Sequence, residues 1–198
     1  MQKGSYFLKS ILLFLLILPI ILGFNHEFLF IREINLYIIL ITISGIIFLI
    51  LLGKFIEIYG FNQELMEIMK DHDVINAFRK REFKMLFFWF PITIIMEELI
   101  FRLYLATFLL SLFDVFFVLI IASFIFGSYH VHILYSLKNK RITLIFVGYS
   151  YILGLFLNFI LLTIGILFCI VLHYLLVIFT YYNLYKRYIF QIFQENEL

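Results

Sequence analysis

The chain has 198 residues, of which 65% are hydrophobic and 14% are charged, and its formal net charge is +2. This composition excludes a water-soluble globular domain and indicates an integral membrane protein. We therefore predict an all-α, polytopic membrane helical bundle whose surroundings are the lipid bilayer, with no nucleic acid among its partners.

Windows of about 20 residues identify six apolar spans in chain order. The longest polar stretch, Gly53–Lys84, lies between the second and third spans. Its basic and apolar residues alternate at a membrane boundary, which predicts a cytoplasmic interfacial segment. No soluble domain remains outside the spans, so residues 1–198 are expected to form a single integral membrane domain. The spans run approximately over Tyr6–Phe24, Leu36–Leu52, Met85–Leu110, Val115–Leu137, Ile142–Asn158 and Phe159–Tyr182.

The positive charges predict how the spans are oriented. The chain has 15 Lys and Arg residues, of which Arg102 lies within a span. If the amino terminus is cytoplasmic, 13 of the remaining 14 also fall on the cytoplasmic side, and Arg32 is the exception. Because cytoplasmic loops are enriched in Lys and Arg, both termini are expected to be cytoplasmic.

Three charged residues interrupt the third span: Glu97, Glu98 and Arg102. An ionisable side chain costs roughly 2.5–3.5 kcal/mol at the centre of a membrane helix, so such residues are usually functional. Glu98 and Arg102 are four positions apart and share a helix face, which predicts a structural ion pair. Glu97 points about 100° away from Glu98, so this pairing leaves its carboxylate free.

Two histidines in later spans lie at a depth similar to that of Glu97. From the cytoplasmic end of its span, Glu97 is ~18 Å deep, His130 ~10 Å and His173 ~14 Å, at 1.5 Å per helical residue. These depths are compatible with one cavity that opens to the cytoplasm. A buried carboxylate beside imidazoles can take a proton from water, and a donor opposite can stabilise an oxyanion. The three residues are therefore candidate catalytic residues for hydrolysis of an amide inside the membrane.

The order of these motifs resembles that of the CAAX protease and bacteriocin-processing family, the intramembrane glutamic proteases. The resemblance covers roughly 90–177, within an expected catalytic core of about 85–182. It rests on three motifs on three separate spans, namely Glu97-Glu98-x-x-x-Arg102, Phe126-x-x-x-His130 and a later His173.

The resemblance implies an intramembrane endopeptidase that cleaves a membrane-associated peptide or protein, in a bacterial cytoplasmic membrane and with the active site open to the cytoplasmic side. By the same resemblance, Glu97 would activate water with help from His130, and His173 would help to stabilise the oxyanion. Glu98 and Arg102 would hold the site together.

Two positions depart from the family pattern. Val177 stands where the family usually has Asn, four residues after the last histidine, and Leu103 stands where Gly is common. Loss of one oxyanion donor typically costs on the order of 10²–10³ in rate, so Val177 bears directly on turnover. Four other polar side chains are candidates to replace this donor, namely Ser128, Tyr129, His132 and Thr180.

A zinc site remains an alternative, because two histidines and a glutamate match the ligand types of catalytic zinc. Its ligands would be Glu97, His130 and His173. The chain has no His-Glu-x-x-His motif, so we expect that no metal is required.

Two non-proteolytic functions also remain open. Val177 favours a regulatory or bacteriocin self-immunity protein of the same family. Intramembrane Glu and His residues would also suit a proton-coupled transporter, but no second half repeats the first.

Overall fold

The computed structural model describes residues 2–30 and 34–196, with side chains described for 7–30 and 34–190. Arg32, the exception in the charge distribution, therefore lies outside the described residues. All regular elements in the described part are helical. Four of these helices are long and apolar enough to cross a membrane, so the chain is an integral membrane protein. They are Leu36–Gly60, Val115–Leu137, Lys140–Thr163 and Ile166–Phe190.

Short 3₁₀ and π turns connect or extend ten α-helices in the described residues. The α-helices are α1 Gln2–Ile21, α2 Leu36–Phe55, α3 Gln63–Met69, α4 Asp73–Lys80, α5 Phe90–Glu98, α6 Thr107–Leu110, α7 Val115–Tyr129, α8 Ile133–Leu137, α9 Lys140–Thr163 and α10 Ile166–Asn196.

Several predicted boundaries differ from the structure. Helix α2 continues through a π turn to Gly60, so the polar segment begins after Gly60 rather than at Gly53. The last two spans meet at Gly165, whose φ of 112° reverses the chain, and not after Asn158, which lies inside α9. The predicted span Val115–Leu137 agrees with the structure. The apolar part of α1, Phe7–Ile21, is shorter than the other spans.

The third predicted span is helical throughout 85–110, and its middle carries the three charges. It consists of α5 and α6 with the π-helical turns Met85–Trp89 and Leu99–Ala106. The second π segment starts directly after Glu98. Such turns are frequent at functional sites, since they change which side chains face the bundle.

Helices α7 and α9 approach closely along their length because small residues line the contact. A Cβ atom on Gly154 would lie 3.1 Å from the Cα of Ser123, and one on Gly127 would lie 3.0 Å from the carbonyl oxygen of Val147. Asn158 donates a hydrogen bond from Nδ2 to Ser123 Oγ over 3.0 Å across the same contact. Small residues and interhelical hydrogen bonds are how membrane helices associate without a hydrophobic driving force.

Helices α3 and α4 pack against α10 instead of lying separately on the membrane surface. Leu65, Met69 and Ile75 are buried there in a cluster with Tyr181 and Leu184 of α10. Helix α10 therefore covers these apolar residues of the predicted interfacial segment. The basic residues that end the segment are exposed, namely Arg79, Lys80, Arg81 and Lys84.

Candidate active site

The ion pair between Glu98 and Arg102 lies at the junction of α5 and the π segment that follows it. Arg102 Nε is 3.4 Å from Glu98 Oε2, and neither side chain is exposed. The two charges are thus fully desolvated. Removal of either partner would leave the other as an unpaired buried charge, which is strongly unfavourable.

Phe126 of α7 covers the ion pair. The guanidinium carbon of Arg102 lies 3.8 Å from the centre of the Phe126 ring, a cation–π contact. The same ring contacts His130 and His173 edge-on, with centroid distances of 5.0 and 5.7 Å. Within the described part of the chain, Nη1 and Nη2 of Arg102 have no hydrogen-bond partner. Arg102 is therefore enclosed between Glu98 and the Phe126 ring.

His173 is bonded to the carboxylate that the sequence assigned to a structural role. Its Nδ1 lies 2.7 Å from Glu98 Oε1, and its side chain is 3% exposed. A carboxylate can only accept, so we assign the proton to Nδ1, which donates. In the neutral ring Nε2 is then an acceptor. His173 can donate to an oxyanion through Nε2 only when the ring carries a second proton.

His130 is oriented in the same manner at the end of α7. Its Nδ1 donates to the carbonyl oxygen of Phe126 over 3.0 Å, and the side chain is half-buried. The neutral ring therefore also presents Nε2 as a lone pair. This nitrogen can accept a proton or a hydrogen bond from water, which is the function expected of a group that assists a general base.

Glu97 differs from Glu98 in both burial and partners. It is half-buried, whereas Glu98 has no exposure. Among the described residues, the hydrogen bonds of His130 and His173 go to Phe126 and Glu98, not to Glu97. The structure thus joins His173 to Glu98 and sets both histidines against the Phe126 ring.

The chain was also compared with known protein families. A family model described as type II CAAX prenyl endopeptidase Rce1-like matches residues 80–179. The chain belongs to the Rce1-like family. The family predicted from the three motifs is thereby confirmed, and because it is a protease family, the assignment supports a peptidase at the family level. No curated protein and no solved structure matched the chain significantly.

In this Rce1-like chain the four side chains that could replace the donor missing at Val177 lie in different surroundings. Thr180 donates from Oγ1 to the carbonyl oxygen of Leu176 over 2.9 Å and faces Gly53 on α2, away from the site. His132 is exposed, with Nδ1 donating to the carbonyl oxygen of Tyr129 over 2.8 Å. Tyr129 is 44% exposed, and its ring centroid lies 5.5 Å from that of His130. Ser128 is half-buried.

Two further residues, which no sequence pattern indicated, lie outside the matched range. Tyr181, on α10, is 7% exposed and packs against Phe90 of α5, with ring centroids 6.1 Å apart. His72, just before α4, stacks on Tyr181 with a centroid distance of 4.7 Å, and its Nε2 lies 3.0 Å from the Tyr181 hydroxyl oxygen. They are 109 positions apart. A single histidine in a polar segment and one of 13 tyrosines gave no sequence signal.

His72 is neutral at physiological pH. Burial lowers its pKa to about 4, with His132 adding to this effect and Asp73 opposing it. Its ring also stacks on Phe146 of α9, with a centroid distance of 5.7 Å. The segment before α5 is thereby tied to both α9 and α10 beside the Rce1-like core.

The three candidate zinc ligands were Glu97, His130 and His173. In the described ranges, no three His, Cys, Asp or Glu side chains are arranged to hold a metal ion. His173 directs Nδ1 to Glu98, and His130 directs Nδ1 to a backbone carbonyl, so each ring keeps Nε2. These two hydrogen bonds are compatible with a histidine that binds a metal through Nε2, because metal-binding histidines usually donate their other ring N–H in this way.

Proposed function

We propose that this chain is an intramembrane endopeptidase that cleaves a membrane-associated peptide or protein. The observation that carries the proposal is the difference between two adjacent carboxylates. Glu98 is fully buried and held by Arg102 and His173, whereas Glu97 is half-buried and has no such ion pair within the described ranges. Glu98 is therefore the structural carboxylate in this proposal, and Glu97 is the carboxylate that is available for catalysis.

In the proposed reaction Glu97 is the general base. It takes a proton from water while the water oxygen bonds to the carbonyl carbon of the substrate amide, and the carbonyl electrons move to oxygen. His130 orients this water through the free lone pair of Nε2. When the tetrahedral intermediate collapses, the C–N bond breaks and Glu97 returns the proton to the leaving nitrogen. No metal is required for any of these steps.

We further propose that the chain crosses the membrane six times and that both termini are cytoplasmic. Residues 1–198 would form one domain, with a catalytic core at about 85–182. The two spans beyond the four long apolar helices are α1 and 85–110. Lys9 of α1 donates to Thr93 of α5 over 3.1 Å, which supports α1 as part of the bundle. The 13-to-1 distribution of Lys and Arg supports the orientation in a bacterial cytoplasmic membrane.

The active site would then open to the cytoplasmic side. The exposed basic residues that end α4 would lie at this surface, as the charge distribution requires. His72, which lies in the same polar segment, reaches α10 next to the site. A substrate that is itself anchored in or on the membrane would approach from this side.

Val177 favours one alternative, a non-proteolytic regulatory or bacteriocin self-immunity protein. At this position the family pattern has an amide donor, and a valine side chain cannot donate. The chain would then act by binding a membrane partner, with Glu98, Arg102 and His173 preserved for folding.

The test compares membranes from cells with the native chain, with Glu97→Gln and with Glu57→Gln. Glu57 is also buried and pairs with Lys54 on α2, outside the site, so it is the matched control. Mass spectrometry identifies new protein and peptide termini. We expect cleavage products with the native chain and with Glu57→Gln that are absent with Glu97→Gln.

Identical termini in all three samples would contradict the protease. A biological effect that survives Glu97→Gln, His130→Ala and His173→Ala, each present at the native level in the membrane, would support the binding alternative.

A further inference from the structure

The proposed hydrolysis requires a hydrogen-bond donor for the oxyanion, and the family position for this donor is Val177. The two histidines use their Nδ1 protons within the protein, so each neutral ring presents only an acceptor. The Arg102 guanidinium has donors to spare, but it is fully buried behind Phe126. The chain must supply this donor from another side chain.

Tyr181 is placed to supply it. It lies two turns after His173 and one turn after Val177, on the same face of α10. Tyr181 shares a buried cluster with Ile94 of α5 and Ile133 of α8, and Val177 packs against this cluster. Ile94 lies three residues before Glu97, and Ile133 lies three residues after His130. The Tyr181 ring meets Phe90 of α5 edge-on, with centroids 6.1 Å apart, so it packs between α5 and α10.

His72 leaves the hydroxyl proton of Tyr181 free. The backbone N–H of Val74 donates to His72 Nδ1 over 3.3 Å, which assigns the proton of the neutral ring to Nε2. Nε2 then donates to the Tyr181 oxygen over 3.0 Å. Because His72 acts as the donor, Tyr181 keeps its own O–H for another acceptor.

We propose that the Tyr181 hydroxyl donates to the developing oxyanion, in place of the amide that Val177 lacks, and that His72 positions it. This inference rests on the proposed endopeptidase function. Tyr181 would be a catalytic residue, since it contacts the reacting oxygen. His72 would be a positioning residue, since it acts only through Tyr181. Both lie outside the matched range 80–179.

Tyr129 is the competing donor, because its ring centroid lies 5.5 Å from that of His130. Its side chain is 44% exposed, whereas that of Tyr181 is 7% exposed. A hydroxyl that is shielded from water and held by a second side chain is pre-organised, which is the property that makes an oxyanion donor effective. The geometry thus favours Tyr181.

The experiment measures initial rates of Glu97-dependent cleavage in membranes, normalised to folded protein. The products are the termini present with the native chain and absent with Glu97→Gln. The variants are Tyr181→Phe, Tyr129→Phe and, as control, Tyr188→Phe, since Tyr188 lies on the same helix with the same 7% exposure. We expect Tyr181→Phe to lower the rate about 10²-fold or more and Tyr188→Phe to leave it within about twofold.

Two combined variants separate catalysis from structure. Val177→Asn, added to Tyr181→Phe, should raise the rate at least about tenfold, because the new amide supplies the missing donor. It would not repair a packing defect caused by Tyr181→Phe. His72→Phe keeps an aromatic ring on Tyr181 but cannot donate. It should lower the rate about tenfold alone and have no further effect in Tyr181→Phe, because the two residues act as one unit.

The outcomes distinguish this inference from the function on which it rests. A native rate in Tyr181→Phe, or a loss confined to Tyr129→Phe, overturns the role of Tyr181 and leaves the endopeptidase standing. Independent, additive losses for His72→Phe and Tyr181→Phe overturn the positioning role of His72. The absence of any Glu97-dependent product overturns the endopeptidase and, with it, this inference.

Discussion

His173 Nδ1 donates to Glu98 Oε1 over 2.7 Å, a hydrogen bond that joins α10 to the end of α5 across 75 positions of sequence. Arg102 occupies the other oxygen of the same carboxylate. Glu98 is therefore a fully buried anchor between two helices. This relationship distinguishes Glu98 from the adjacent Glu97, and it predicts a different consequence of mutation for each of them.

Replacement of Glu98 by Ala should destabilise the protein, since it leaves Arg102 buried without a counter-charge. Breaking a buried ion pair in this way costs about 3–5 kcal/mol. We expect less folded protein in detergent and a lower thermal midpoint. Glu97→Gln, which keeps the shape of a half-buried side chain, is the control and should match the native protein in both measurements. Equal losses in the two variants would mean that both glutamates are structural.

The sequence predicted the Glu98–Arg102 contact because helical geometry relates residues four apart. It did not predict that His173 joins them, since nothing local relates positions that are 75 residues apart. The predicted bounds of the span Val115–Leu137 agree with the structure, because polar residues flank this apolar run on both sides. The last two spans were divided at the wrong place, because Asn158 resembles a boundary until its bond to Ser123 is known.

His72 and Tyr181 show the same limit more strongly. Their contact depends on how α4 docks against α10, a tertiary arrangement that a single sequence does not encode in any spacing. The amphipathic pattern of 53–84 fits a membrane surface as well as a protein surface. In the structure Leu65, Met69 and Ile75 pack against α10, so these side chains face protein.

Acidification should destabilise the protein through His72. The unfolded ring binds a proton below pH 6.5, but the folded ring does so only near 4, since burial lowers its pKa. Between these values the unfolded state binds more protons, so stability falls as the pH falls. The loss from pH 7 to pH 5 should be about 2 kcal/mol. Thermal unfolding in detergent measures it, and His72→Phe should remove most of this pH dependence.

If His72→Phe keeps the native dependence of unfolding on pH, another group is responsible, and the neutral state of His72 is refuted.

Gly154→Ala should weaken the packing of α7 against α9. The added Cβ would lie 3.1 Å from the Cα of Ser123, a backbone atom that cannot move aside without shifting the helix. Overpacking of this kind typically costs about 1–3 kcal/mol. Gly148→Ala on the same helix meets nothing within 4 Å and should be neutral or slightly stabilising. Thermal midpoints of the two variants that agree would show that α7 and α9 are not in close contact.

Reporter fusions test the six-span orientation. Fusions after Gln63 and after Asn139 should report the cytoplasm, and a fusion after Asp114 should report the outside, because the basic loops stay inside. A fusion near Glu33, which lies outside the described residues, should also report the outside. An external signal after Gln63 would refute the orientation and the depth estimates for Glu97, His130 and His173.

Chelation should leave cleavage unchanged if Glu97 acts as a general base without a metal. In the described part of the chain no three ligands are arranged around a common point, and His173 is held by Glu98. Purified protein treated with a chelator and then dialysed should cleave its membrane substrate at the untreated rate, and added Zn²⁺ should not raise that rate. Elemental analysis of the same sample should find less than one metal ion per chain.

Cleavage that is lost on chelation and restored by Zn²⁺ would instead assign water activation to a metal, since a bound cation lowers the pKa of its water without a carboxylate base. In that case Nδ1 of His173 would have to leave Glu98 or Nε2 would have to bind the ion, and Glu97→Gln would lower the metal content together with the rate.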